Sequence, residues 1–226
     1  KIVYFVHGYR FHPDGNLFSN FLFYYIEKIL SFFTSAYINI NDIDYNITNK
    51  FFKKNSLLIN GVGIDLKIKK NTFRNYKNRN NFIVGYIAAY KKNKGYDDLI
   101  KIVEMTRNFS NIKFVCYGYG NLEDYQKKIK LLRLKNIKLN QFESNIIDKV
   151  KNFDLLLSLS YREGLPVSFL ECMSQAVPVI SYNIRGANDL VINDYNGYIC
   201  KKKNINEIFE KIIFLSKNND KLSKIS

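Results

Sequence analysis

The sequence predicts an α/β protein with parallel sheets, split into a partial first domain and a fuller second one. Three observations predict this. Short β-like runs alternate with longer helix-like stretches almost throughout the 226 residues. The strand runs are mostly apolar rather than alternating, the pattern of strands buried on both faces beneath helices. One stretch, Lys67 to Asn80, is polar and basic with little apolar periodicity, and it reads as a linker or long surface loop.

The predicted strands are Ile2–Val6, Ala36–Ile40, Ser56–Ile59, Phe82–Ile87, Lys113–Tyr117, Asn136–Leu139, Asp154–Leu159 and Val177–Tyr182. Helical patterns fall at Tyr96–Asn108, Leu122–Leu134, Val167–Gln175 and Ile205–Lys217, the last opened by a capping pair, Asn204 with Glu207. The predicted domains are therefore residues 1–66, a linker 67–80, and residues 81–226. Phe21 to Phe33 is the longest apolar run, but Glu27 and Lys28 interrupt it and it falls short of spanning length. It is expected to be a core-facing helix, with a lipid-facing one as the alternative.

At 46% hydrophobic and 24% charged, the chain holds enough apolar material for one large core or two modest ones. The interspersed charge excludes a disordered chain. The net charge of +15 raises nucleic acid or an anionic membrane as partners. The lysines form no dense block, and no aromatic stacking pattern accompanies them, so no nucleic-acid partner is expected. A basic face also suits an enzyme that meets phosphate-bearing substrates at a membrane. Cys116, Cys172 and Cys200 share no metal-like spacing and read as buried thiols of a reducing compartment. Lys1 opens straight into an apolar run and the last residues stop without a closing element, so both ends are expected to be cuts.

Open parallel sheets bind ligands beyond the carboxyl ends of their strands. Four strand-end loops of the second domain carry suitable groups: Lys94-Gly95, Gly118-Tyr119-Gly120, Ser160 to Pro166, and Asn183 to Gly186. Each alone is explained by the need for glycine at a strand-to-helix turn. The third is the sharpest, because EGLPVSFLE places seven residues between Glu163 and Glu171. Pro166 suits the first turn of a helix. Val167, Leu170 and Met173 form a stripe able to hold that helix on the sheet. The N–H groups of Leu165, Val167 and Ser168 would then face an anion such as a diphosphate. Glu171 suits a vicinal diol such as a ribose, and Glu163 suits sugar hydroxyls. The competing reading is a capped helix with two surface carboxylates.

EGLPVSFLEC resembles the E-G-L-P-x-S-x-x-E-A motif of family 4 retaining glycosyltransferases of the GT-B fold. The resemblance extends over most of the chain. His7-Gly8 resembles their H-G loop, Ile40-Asn41-Asp42 opens a segment similar to I-N-x-x-D, and residues 60–65 resemble a G-V-G-I-D hinge. Lys94-Gly95, Gly118-Tyr119-Gly120, Arg185-Gly186 and Asn196-Gly197-Tyr198 resemble further pieces in the same order. The resemblance implies two Rossmann-like domains, the first for the acceptor and the second for the donor. It implies catalytic roles for Glu163, His7 and Lys94, with Lys94 neutralising the diphosphate leaving group. It implies donor binding by Gly118, Gly120, Gly164, Leu165, Pro166 and Glu171. The donor would be a UDP- or GDP-linked sugar and the acceptor a glycan or polyprenyl-lipid-linked glycan. Transfer would proceed with retention, without a metal or other cofactor, in the cytoplasm or at the inner face of its membrane.

The chain departs from that pattern in two places. Ala89 stands where many members carry an arginine, leaving Lys91 or Lys92 as substitutes. The early glycine-rich loop that closes over the donor is expected to fall outside this sequence, so the chain alone is expected to transfer sugar very poorly or not at all. A nucleotide-sugar epimerase, a sugar phosphorylase, a basic nucleic-acid-binding module and a transferase that binds without chemistry are the competing functions. Arg185 is a further phosphate candidate, or a partner for Asp189, and His12 has no supporting context.

Overall fold

The computed structural model describes residues 1–12, 15–59, 61, 63–64, 76 and 79–226. The chain divides into two compact units. One comprises Lys1–Gly63 with Glu163–Leu165, and the other Ile64–Arg162 with Pro166–Ser226. Most of the expected 67–80 linker, and Asn60, Val62 and Asp65 of the hinge-like segment, lie outside the described residues.

The first unit carries a parallel three-stranded sheet, β1 (Val3–Val6), β2 (Ala36–Asn39) and β3 (Ser56–Leu58), in that spatial order. Helix α1 (Leu17–Phe33) connects β1 to β2, and the side chain of Asn16 caps it by accepting from the N–H groups of Phe18 and Ser19. Helix α2 (Asp42–Ile47) follows β2 and runs into a π-helical turn over Thr48–Phe52. Val6, Tyr9, Tyr37 and Phe52 form a small core. Among the described residues α1 is not the core-facing helix expected: Ser31 is its buried residue, while Phe18, Phe21, Phe32 and Phe33 are each more than 60% exposed. The physical reason is extent, since a 17-residue helix is about 26 Å long. Among the described residues, the core beside it holds four buried side chains.

The second unit is a six-stranded, all-parallel sheet built from β4 (Phe82–Ile87), β5 (Ile112–Tyr117), β6 (Ile137–Asn140), β7 (Leu155–Ser158), β8 (Val179–Tyr182) and β9 (Gly197–Cys200). Its order is β6-β5-β4-β7-β8-β9, the doubly wound arrangement in which the winding reverses between β4 and β7. The connecting helices are α3 (Tyr96–Met105), α4 (Leu122–Leu131), α5 (Ile146–Val150) and α6 (Val167–Met173), with α7 (Ile205–Lys217) and α8 (Asn219–Lys224) closing the chain. Val84, Leu155, Leu156, Val179 and Ile180 are at most 1% exposed, which accounts for the continuous apolar runs in the sequence.

β9 was not among the expected strands. Asn196-Gly197 reads as a turn, yet Gly197 is an in-sheet position where an added Cβ would meet the Val179 carbonyl oxygen at 1.9 Å. At α7 the expected cap is present: Glu207 N–H donates to Asn204 Oδ1 at 3.3 Å, and the Glu207 carboxylate accepts from Asn204 Nδ2 and Lys201 N–H.

Asp154 precedes β7 and is 1% exposed. Its carboxylate accepts from Ile83 N–H at 2.7 Å and pairs with Arg79, tying β4 to β7 at their amino ends. Asp154→Ala leaves that N–H without its acceptor, while Arg79 is partly solvated and loses less. The expected cost is about 2–3 kcal/mol in urea unfolding; a loss below about 0.5 kcal/mol, the range of inert surface substitutions, would contradict it.

Candidate functional site

In the second unit, the loops beyond the carboxyl ends of β4, β5 and β6 enclose a cavity of ≈ 190 Å³. Residues 87–89 form one wall, 117–119 a second and 142–144 a third, with Ile146 and Glu171 completing it. Close backbone approach shapes it: a Cβ on Gly118 would meet the Ala88 carbonyl oxygen at 1.9 Å, so only glycine lets these two loops converge. Tyr119 and Phe142 contribute aromatic surface, their rings edge-to-face with centroids 6.4 Å apart. Gly120 adopts φ 109° and makes a bridge to Tyr90, which holds the end of the second wall.

Glu171 sits on the fifth position of α6 and reaches this cavity. Burial raises its carboxyl above the ordinary value. A half-buried acceptor facing an apolar-walled cavity is suited to a ligand carrying adjacent hydroxyl donors.

α6 differs in detail from expectation. Pro166 is the residue before the helix, not its first turn, and Val167 opens it. The helix is held by Phe169 and Cys172, both fully buried, while Val167 is 37% exposed. The expected stripe of Val167, Leu170 and Met173 is thus not the buried face, because the spacing also permits a stripe displaced by two residues. Pro166 is the N-cap residue of α6 and supplies no side-chain cap.

Lys94 ends a 3₁₀ turn over Lys92–Lys94, immediately before Gly95 and α3. Gly95 has φ 74°, and an added Cβ would meet the Leu159 carbonyl oxygen at 2.1 Å. The Lys94 loop therefore rests directly on the strand end of β7, at the reversal point of the sheet. Lys91 Nζ lies 6.0 Å from the Tyr119 ring centroid, beside the cavity that Ala89 lines. Arg185 is buried in the same unit.

Glu163, Gly164 and Leu165 group with the first unit. There the Gly164 carbonyl accepts from Asn41 Nδ2 at 3.3 Å, and a Cβ on Gly164 would meet the His7 carbonyl oxygen at 2.1 Å. Asn41 is itself fixed by Asp44, accepting from its N–H and donating to its carboxylate at 2.6 Å. The exposed His7 ring lies 4.7 Å from that of Phe5. The predicted residues thus fall into two groups, Gly118 and Glu171 around one cavity and His7 with Gly164 in the first unit.

Phe142, Glu143 and Ile146 went unnoticed in the sequence. The rule that directed attention to the other strand ends applies equally to the residues from Gln141 to Ile146 after β6, and following it there finds them.

The model of the family described as glycosyl transferases group 1 matches residues 67–226. The chain is 28% identical over 226 residues to the capsular polysaccharide biosynthesis glycosyltransferase CapM of Staphylococcus aureus, covering 93% of this chain and 59% of that one. It is 33% identical over 147 residues to the poly(ribitol-phosphate) alpha-N-acetylglucosaminyltransferase of Staphylococcus aureus strain COL, covering 62% and 29%. The chain therefore spans 59% of the first of these relatives and 29% of the second. Among solved structures, TarM superposes with a TM-score of 0.82 at 23% identity over 99% of this chain and 45% of TarM. Anabaena Alr3699/HepE in complex with UDP and glucose superposes with a TM-score of 0.78 at 20% identity, over 99% and 64%. These likenesses establish the GT-B fold.

Proposed function

Since the chain belongs to the glycosyl transferases group 1 family, we propose that it carries the donor site of a glycosyltransferase that moves a sugar from a nucleotide donor to a glycan or lipid-linked acceptor. The single observation that supports this most is Glu171, a half-buried carboxylate facing a cavity with aromatic and glycine walls. In this reading the carboxylate accepts both ribose hydroxyls and the cavity takes the nucleobase. The diphosphate runs from there along Gly118, Gly120 and Pro166. Lys94 neutralises the charge that builds on the leaving phosphate as the anomeric bond breaks. Lys91, beside Tyr119, supplies the second cation that Ala89 does not. Glu163 and His7 act on the sugar and acceptor.

A UDP-linked donor is favoured by the solved complexes of Alr3699/HepE with UDP and glucose. Retention is supported by two relatives whose names specify alpha linkages, an alpha-N-acetylglucosaminyltransferase and an alpha-1,3-N-acetylgalactosaminyltransferase acting on a diphospho-undecaprenol substrate; from an α-configured donor, such products mean retention. The second name also supports a lipid-linked acceptor. Because Lys94 does the electrostatic work in this reading, excess EDTA is expected to leave nucleotide binding and transfer unchanged. A loss restored by Mg²⁺ or Mn²⁺ would refute the metal-independent assignment.

A thermal-shift panel of UDP, GDP, ADP and duplex DNA tests the class. At a hundredfold excess over Kd, one diphosphate is expected to raise Tm by about 5–10 °C. A shift with DNA that salt abolishes, and none with any diphosphate, would move the protein to the nucleic-acid class.

A further inference from the structure

We propose that Tyr86 is a positioning residue whose buried hydroxyl clasps the Lys94 loop to the strand end of β7 and so sets the placement of Lys94 at the reversal point of the sheet. The inference rests on the donor-site reading of Lys94 given above.

Tyr86 lies on β4 and is 1% exposed. Its hydroxyl donates to the Lys94 carbonyl oxygen and accepts from Leu159 N–H at 3.3 Å. A phenol is suited to this, being donor and acceptor at one atom. Burial holds its ionisation well above the ordinary range, so it remains a donor throughout the physiological pH range. Two further ties run between the same loops. Tyr161 N–H donates to the Asn93 carbonyl oxygen at 3.0 Å, and Gly95 packs its bare Cα against the Leu159 carbonyl. The start of α3 is secured separately, by Tyr96 donating to the Ala88 carbonyl oxygen at 2.9 Å. Asp98, 7% exposed, accepts from Tyr161 and Tyr182 at 2.9 and 3.1 Å, which fixes the far side of the β7 loop.

Packing alone does not call for this hydroxyl. A phenylalanine would fill the same space and retain the edge-to-face contact with Tyr96, whose ring centroid is 5.0 Å away. It is the pair of backbone groups from two different loops that needs an oxygen there, since both are desolvated and each requires a partner.

The test is calorimetric titration of UDP and of UMP into wild type, Tyr86→Phe, Lys94→Ala and the double variant. Tyr198→Phe serves as a control for loss of a tyrosine hydroxyl bond away from the Lys94 loop, since Tyr198 lies on β9 and donates to the exposed Asp194 carboxylate at 2.9 Å. Tyr86→Phe is expected to weaken UDP about five- to tenfold and to leave UMP within about twofold, the scale of one hydrogen bond acting through Lys94 on the terminal phosphate. In the Lys94→Ala background it is expected to have no further effect on UDP. Tyr198→Phe is expected to leave UDP affinity unchanged. Equal weakening of UDP and UMP, an undiminished effect in the Lys94→Ala background, or no effect on UDP would overturn the positioning role. If Lys94→Ala itself leaves UDP affinity unchanged, the donor-site reading fails and the inference fails with it. Loss of affinity in Lys94→Ala alone, with Tyr86→Phe like wild type, overturns only the positioning role.

Discussion

Glu171→Ala is expected to abolish most nucleoside diphosphate binding while leaving the fold intact. The carboxylate would accept from two adjacent hydroxyls, and hydrogen bonds to a charged group are worth about 1.5–3 kcal/mol each. Allowing for the cost of drying the carboxylate, the net loss is about 3 kcal/mol, or roughly 10²-fold in affinity. A second readout separates diol recognition from general damage. Wild type should bind 2′-deoxy-UDP far more weakly than UDP, whereas Glu171→Ala should bind both alike. The stability of the unliganded protein should move the other way. Burial raises this carboxyl in the folded state, so the native state holds its proton more tightly than the unfolded chain. Its contribution to stability is therefore lost as pH rises through the raised value. Glu171→Gln removes that cost, so at neutral pH the variant should unfold at the same urea concentration as wild type or slightly higher. A variant that is destabilised and still discriminates the two nucleotides would show that Glu171 is a packing residue.

Lys94→Ala is expected to produce the larger defect in turnover. On the donor-site reading the ammonium would meet the diphosphate in the ground state, and its loss should weaken UDP by about tenfold to a hundredfold. As the anomeric bond breaks, charge accumulates on the leaving phosphate, and a positioned cation is worth more there than in the ground state, about 10²–10³ in kcat. Turnover should therefore fall further than affinity, and the salt dependence of UDP binding should flatten. The loop geometry makes this residue sensitive to its surroundings. Gly95 is held at φ 74° against the Leu159 carbonyl, and the Lys94 carbonyl is held by Tyr86. A Lys94→Ala enzyme with wild-type kcat would remove the lysine from the reaction.

The second sheet was readable in the sequence because burial on both faces leaves uninterrupted apolar runs, and Val84 or Leu156 could belong to nothing else. β9 was hidden for the opposite reason. It lies at the sheet edge and begins with a glycine that packing demands rather than a turn. Glu171 was legible through its spacing from Glu163, which fixes it one turn inside a helix that starts after Pro166. The cavity it faces was not legible, since its walls come from three strand ends remote in sequence, and Tyr119 and Phe142 look like ordinary loop aromatics until the sheet order brings them together. α1 shows the limit of periodicity. Its apolar residues mark a face that wants covering, and nothing in their spacing says what covers it. Tyr86 could not have been singled out among 17 tyrosines, because its role depends on two backbone groups that no side-chain pattern encodes.

Diffraction from crystals of this chain grown with saturating UDP would bear most directly on whether the β4–β5–β6 cavity is a nucleotide site. Density for uracil within the walls formed by residues 87–89, 117–119 and 142–144, with the ribose oxygens at the Glu171 carboxylate, is the expected result. UDP seated elsewhere on the second unit, or this cavity unchanged while UDP binds in solution, would contradict it.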